Sequence, residues 1–414
     1  MSSAVSIHTT LSAPVCEARA HRFLPPARLS VRLCAVSDPA SSAEPREVPT
    51  VVRALLVFGL LYLFLVGISV LEGGISSLGE GIQEQLFTSV KNPIAALCVG
   101  ILATVVAQSS SVTTSTIVGL VGTGLLPVEA AVPMIMGANI GTTVTATLVS
   151  LGHLRRSAEM RDAFAAATVH DYFNLLAVAV LLPLEMATHV LARSATWLSD
   201  RLVGTGGGTF KSPVQQAVKG PAGWVRSALE STGASGTLLG VLLIIAGLVF
   251  IFVALAFITT NMKALVADRM EQSINAFLGR SGGAAAMLLG LVITMAVQSS
   301  SITTSIMVPL AASGVLTLRS VYPVTLGANV GTTITGILAS LATSRPEALT
   351  IALVHTLFNI GGILLFYPVP AMREIPIRLA TRTGEVAARH PTVVVTGVGV
   401  CFVVIPLLGI VTLR

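Results

Sequence analysis

Three stretches of the chain are almost wholly apolar: residues 54–70, 238–258 and 393–413. Each is close to the roughly 20 residues that a helix needs to cross a ~30 Å hydrocarbon core. Between them the apolar pattern is interrupted by polar clusters. Residues 107–120 read AQSSSVTTSTIVGL, and residues 297–310 read VQSSSITTSIMVPL. A Gln, four serines and two threonines are thus set into apolar surroundings twice.

The two passages belong to one longer repeat. A spacing of 190 pairs Gln108 with Gln298, Pro133 with Pro323, Gly100 with Gly290, and GANIGTT (137–143) with GANVGTT (327–333). From 108 to 150 about half the positions are identical without a gap. Further on, His170 and Asn174 pair with His355 and Asn359 at a spacing of 185. Self-similarity at a fixed period marks a duplicated structural unit.

Each unit reads as four parts. A spanning helix opens it, at 54–70 or 238–258. A split segment follows, in the first unit 93–107, QSSS, then 112–126. Fifteen helical residues rise only about 22 Å, too short to cross, so a re-entrant hairpin with QSSS at its tip is expected. The next helix, near 130–151, contains Pro133 and GANIGTT and is expected to break near 137–141. A last helix, near 163–190, closes the unit.

Three crossings per unit make the two units opposite in orientation. With Arg46 and Arg53 in the cytoplasm, Arg155, Arg156, Arg161, Lys263, Arg269, Arg280, Arg319, Arg373, Arg378, Arg382 and Arg389 also fall inside. The segment 72–91, with three Glu and one Lys, falls outside, in accord with the positive-inside rule. The expected fold is therefore an all-α polytopic membrane protein with two inverted-topology repeats. Each repeat has a re-entrant helical hairpin and a broken helix, and a C-terminal transmembrane helix follows. The divisions are a disordered N-terminal tail (1–49), transport repeat 1 (54–192), an external Gly-rich linker (193–236), transport repeat 2 (237–368) and the C-terminal helix (393–413). Paired hairpins entering from opposite faces are the plan of a transporter that exposes a midplane site alternately, by rocking of the two units.

Composition agrees with a membrane protein. The chain of 414 residues is 53% hydrophobic and 11% charged, with mean hydropathy +0.85, where a soluble domain carries about 25% charged residues. The net charge of +6 sits between apolar runs as an orientation signal, so no nucleic-acid partner is expected; the partner is the lipid bilayer. The four cysteines show no metal-ligand or disulfide-scaffold spacing. No nucleophile–base pair or cofactor loop is visible, so no enzyme and no cofactor are expected. Up to Ser37 the tail holds one acid, Glu17. It reads as a cytoplasmic tail or as an organelle targeting segment, and the membrane accordingly as the plasma membrane (bacterial inner membrane or cell membrane) or an organelle membrane.

The polar motifs need partners, because an unpaired polar group in hydrocarbon costs several kcal/mol. Gln and hydroxyl side chains both donate and accept. They can coordinate Na⁺ through oxygen or donate to an oxyanion, and a helix N-terminus adds free N–H groups for the anion. The candidate substrate- and ion-binding residues are Gln108, Ser109, Ser110, Ser111, Thr113, Thr114, Ser115, Asn139, Thr142 and Thr143. Their copies are Gln298, Ser299, Ser300, Ser301, Thr303, Thr304, Ser305, Asn329, Thr332 and Thr333. Ser and Thr also serve as packing glue between membrane helices, but the duplication of the whole pattern favours a ligand site. Asp171 has Thr356 in the corresponding place; it reads either as ion-related or as a local partner of Arg161 or His170. Glu185 is expected at the outer membrane interface.

At QSSSVTTS, GANIGTT and FAAATVHDYFN the chain resembles the type II sodium-dependent phosphate cotransporter family, over residues 54–366. The resemblance implies Na⁺-coupled symport of inorganic phosphate, with Na⁺ as coupling ion bound by a subset of 108–111, 113–115, 298–301 and 303–305. The chain departs from animal members in having neither Cys nor an Asn-X-Ser/Thr sequon in the linker. Rival functions are transport of another oxyanion, phosphate export, and, in another class, an ion channel or a non-transporting membrane scaffold.

Overall fold

The structure, a computed structural model, describes residues 49–78, 92–203, 213–278 and 283–413. The described residues are helices and turns, with no strand among them. In chain order the helices are α1 (Thr50–Ser76), α2 (Pro93–Ala107), α3 (Ser110–Gly122), α4 (Val128–Gly141), α5 (Val144–Ser150) and α6 (Ser157–Thr188). Next come α7 (Val190–Val203), α8 (Pro213–Glu230), α9 (Gly236–Leu278), α10 (Gly283–Val297), α11 (Ser300–Ala312) and α12 (Leu318–Ser340). The chain ends with α13 (Pro346–Phe366), α14 (Pro370–Arg389), α15 (Pro391–Gly399), a π-turn (Val400–Val404) and α16 (Ile405–Thr412).

Among the described residues, six helical segments are long and apolar enough to cross a membrane: Thr50–Ser76, Val128–His153, Ser157–Thr188, Gly236–Leu265, Pro346–Phe366 and Pro391–Thr412. The protein is an all-α polytopic membrane protein. α12 has 23 residues, but Asn329 and four threonines dilute its apolar character. The short helices α2, α3, α10 and α11 have 13 to 15 residues.

The predicted split segment falls where expected, with α2 at Pro93–Ala107. The GANIGTT helix breaks at Thr142–Thr143, next to the expected 137–141. Other expectations need correction. The counterpart of that helix, α12, does not break at all. The stretch 193–236 is not simply a loop, because much of it forms α7 and α8. These are amphipathic, and α7 packs on α13 and α8 on α1. A helix that the apolar pattern did not announce, α14, lies along α6. It carries Arg373, Arg378, Arg382 and Arg389, and its buried residues Ile377, Ala380, Gly384 and Ala387 occupy one face. The N-terminal tail (1–49), expected to be disordered, lies outside the described residues except for Pro49, as does most of segment 72–91.

The first helices of the two repeats, α1 and α9, pack along each other. Glycines set the seam. A Cβ on Gly74 would stand 2.7 Å from the Ile244 nitrogen, and one on Gly247 would stand 2.7 Å from the Leu71 nitrogen. Small residues of this kind let membrane helices approach where no hydrophobic driving force exists. The remaining helices interleave. α11 lies on α5 and α6, α12 on α3 and α6, and α13 on α3, α4 and α6. Helices of the two sequence repeats are therefore interleaved.

Glu185 lies one turn before the end of α6, at Thr188, and is enclosed by protein. It is 4% exposed, and its carboxylate accepts the N–H groups of Leu191 at 2.6 Å and Ala192 at 3.1 Å. It thus caps the first turn of α7, whose N–H groups have no helical partner. Glu185→Ala strands two buried donors, at about 1–3 kcal/mol each. The expected result is a melting temperature lowered by several degrees in detergent, read by thermal-shift fluorescence, while Glu185→Gln recovers part of the loss.

Candidate functional site

Both polar motifs fold alike. α2 ends at Ala107, Gln108 turns into the left-handed region at φ 50°, Ser109 returns to extended backbone, and α3 begins at Ser110. One period later Gln298 stands at φ 57°, Ser299 is extended, and α11 begins at Ser300. A non-glycine residue there carries strain of about 1 kcal/mol or more. The Gln side chain offsets it. Gln108 Nε2 donates to the Val105 carbonyl and Gln298 Nε2 to the Met295 carbonyl, both at 2.6 Å. Those carbonyls lie in the last helical turn, where the backbone offers no donor. The other end of each carboxamide accepts a hydroxyl, from Thr145 at 3.5 Å and from Thr335 at 3.0 Å.

The two turns meet. Ser111 Oγ donates to the Gln298 carbonyl at 3.3 Å, which brings the N-termini of α3 and α11 together. Ser109 Oγ caps α3 through the Val112 N–H at 3.3 Å. Gln108 is exposed, and Ser109, Gln298, Ser299 and Ser301 are half-buried, so the tips are open while the residues behind them are enclosed.

The enclosed hydroxyls fall into two groups. Some are used locally: Thr113 on the Ser109 carbonyl, Thr303 with Thr294 at 2.8 Å, Thr304 on Ser300, Thr142 on Ala138, Thr143 on Ile140 and Thr333 on Val330. The hydroxyls of Thr104, Thr114, Ser115, Ser300, Ser305 and Thr332 are buried without a hydrogen-bond partner among the described residues. Ser110 is also buried. Buried polar groups almost always find partners, so unpaired hydroxyls on α2, α3, α11 and α12, the helices that carry or hold the two turns, have the chemistry to receive a polar ligand.

Asn139 and Asn329 are engaged behind this layer, at 2% and 0% exposure. His170 Nε2–H donates to Asn329 Oδ1 at 2.6 Å, and His355 Nε2–H donates to Asn139 Oδ1 at 3.3 Å. Each bond crosses from one repeat to the other. Asn329 Nδ2 donates to Asn174 Oδ1 at 2.7 Å, which fixes the Asn329 oxygen as the acceptor of the histidine proton. The repeat pattern had shown His170–Asn174 and His355–Asn359 as matched pairs; it could not show that their partners lie in the opposite repeat.

Asp171 pairs with neither Arg161 nor His170. Arg161 binds Asp162 at 2.8 Å. Asp171 is 7% exposed, with its Oδ2 3.5 Å from the Thr147 hydroxyl, while its Oδ1 has no partner among the described residues. A buried carboxylate with hydroxyls but no cation beside it is a ready cation ligand. Thr104, Thr145, Thr294 and Thr335 are thus further candidate site residues that the polar motifs alone did not announce, each matched at the 190-residue spacing. Asp171 had a signal of its own, as an acid within an apolar helix.

The model of the Na⁺/Pi-cotransporter family matches residues 63–198 and 237–379. The chain is 33% identical over 452 residues to sodium-dependent phosphate transport protein 2A of Rattus norvegicus, covering 92% of this chain and 71% of that protein. It is 34% identical over 449 residues to sodium-dependent phosphate transport protein 2B of Homo sapiens, covering 86% of this chain and 64% of that protein. No solved structure matches the chain. The matched residues include both Gln-Ser-Ser-Ser turns and both GANxGTT segments, and the chain belongs to the Na⁺/Pi-cotransporter family.

Proposed function

We propose that this protein imports inorganic phosphate across a plasma membrane by symport with Na⁺, through alternating access to one site. The observation that carries the reading is the meeting of the two Gln-Ser-Ser-Ser turns at Ser111 and Gln298, backed by unpaired buried hydroxyls. The names of the relatives supply the two ligands. Phosphate would take the N–H groups at the starts of α3 and α11 and hydroxyl donors of the tips. No Arg or Lys stands in either motif segment, so the anion's charge would be balanced by co-bound cations. Na⁺ would take oxygen ligands, of which Asp171 with Thr143 and Thr147 is the best-equipped set.

In this reading α2–α3 and α10–α11 are re-entrant hairpins entering from opposite faces, and the two repeats are inverted. Because helices of the two repeats are interleaved, access would change by movement of both hairpins together against the α1–α9 pair.

The experiment is uptake of radiolabelled phosphate into proteoliposomes under an imposed Na⁺ gradient. Uptake should depend on Na⁺ and collapse when choline replaces it. Uptake that is indifferent to the replacement would sink the coupling. Competition by sulfate as strong as by unlabelled phosphate would instead point to a general oxyanion carrier.

A further inference from the structure

The two repeats own the same buried asparagines and use them differently. In repeat 1, Asn174 on α6 donates through Nδ2 to the backbone carbonyl of Asn139 at 3.0 Å. That carbonyl is a rung of the α4 hydrogen-bond ladder. With the Asn174 amide on it, the Thr143 N–H reaches the Ile140 carbonyl at 3.4 Å, one residue short of the regular α-helical partner. α4 ends at Gly141 and the helix restarts at Val144. A side chain inserted into the ladder is an established cause of a kink.

In repeat 2 the corresponding parts are present but unassembled. Asn359 on α13 turns its Nδ2 back to the His355 carbonyl of its own helix at 3.0 Å. Its Oδ1 is buried with no partner among the described residues, in a side chain at 0% exposure. α12 runs unbroken from Leu318 to Ser340. A buried amide oxygen left without a donor is destabilising, and the sequence keeps it in matched register with Asn174.

Exchange the repeats in this network, and every bond has a counterpart. Asn329 Nδ2 to Asn174 Oδ1 becomes Asn139 Nδ2 to Asn359 Oδ1. Asn174 Nδ2 to the Asn139 carbonyl becomes Asn359 Nδ2 to the Asn329 carbonyl. The exchanged network supplies the donor that Asn359 Oδ1 lacks. It also gives Asn139 Nδ2, now a long 3.5 Å from the Ile135 carbonyl, a side-chain acceptor. The two His–Asn bonds exchange into each other, so they can hold both arrangements in register.

We propose that Asn174 and Asn359 are alternating positioning residues: Asn174 interrupts the hydrogen-bond ladder of the GANxGTT helix of repeat 1 in this state, and Asn359 interrupts that of repeat 2 in the opposite end state of transport. The proposal rests on the alternating-access reading. It makes the asymmetry between α4–α5 and α12 a marker of one state, not a fixed difference between the repeats.

The test is amide hydrogen–deuterium exchange of the purified full-length protein in detergent, alongside phosphate uptake. In the opposite state the ladder at residues 331–337 opens, so exchange there reports that state's population. Asn359→Ala should slow it about five-fold, the worth of one net hydrogen bond of about 1 kcal/mol. Asn174→Ala should speed it by a similar factor and slow exchange at residues 141–147. Both variants should lose most of the maximal uptake rate, since a cycle needs both states. General destabilisation would speed exchange at both segments in both variants, and that result overturns the proposal. So does an Asn359→Ala protein with wild-type exchange and uptake. A wild-type protein that takes up no phosphate would sink the transport function, while the opposed signs of exchange would still test the switch.

Discussion

Gly327→Ala is expected to reduce Na⁺-dependent phosphate uptake to below about a tenth of wild type and to lower the melting temperature markedly. The reason is a backbone-to-backbone approach made twice. A Cβ on Gly327 would fall on the carbonyl oxygen of Met287, and it would also stand 2.8 Å from the Leu291 nitrogen. One on Gly290 would fall on the Val324 carbonyl, so α10 and α12 are closed upon each other from both sides. Gly100 and Gly137 do the same for α2 and α4, against Met134 and Leu97. Side chains can change rotamer to admit a methyl group, but main-chain carbonyls cannot, so the helices must part. Overpacking of this kind costs typically 1–3 kcal/mol and occasionally more. The parting also stretches the bond from Thr335 to Gln298 that holds the second tip. Gly73→Ala is the control, because a Cβ there meets nothing within 4 Å. Wild-type uptake by the Gly327→Ala protein would show that the tip geometry tolerates a looser α10–α12 seam than this packing implies.

Asp171→Asn should raise the Na⁺ concentration for half-maximal uptake at least ten-fold, equivalent to about 1.4 kcal/mol. The carboxylate is buried beside Thr147 and has no ion-pair partner among the described residues. An isolated buried charge is costly unless it is paired, and a co-transported cation is the partner this site can take. Asn keeps the size and one acceptor while removing the charge, so loss of folding does not confound the measurement. Initial rates over a Na⁺ titration at fixed ionic strength give the answer. An unaltered titration curve would place Na⁺ elsewhere, among the hydroxyls and carbonyls of the tips.

Much of the architecture could be read from residue order alone. The apolar runs place the spans, the 190-residue period places both turns, and QSSS marks the point where a left-handed Gln joins two short helices. These are local facts: span length, periodicity and turn chemistry act within a few residues of one another. The helices α7, α8 and α14 were harder to see, because their stability comes from laying one apolar face on α13, α1 and α6, a partner no local pattern names.

The site divides in the same way. The sequence by itself determined which side chains carry the polar chemistry and that they come in two copies, since duplicated residues need no coordinates to be recognised. Only the tertiary structure decided how they pair. It set Ser111 on the Gln298 carbonyl, crossed His170 to Asn329 and His355 to Asn139, and left Asp171 beside Thr147 instead of Arg161. It also decided that the helix is interrupted between α4 and α5 and continuous through α12, although both carry GANxGTT. The physical reason is that a hydrogen bond between positions about 160 to 220 residues apart depends on how helices stack, and two nearly identical segments meet different neighbours in the two repeats.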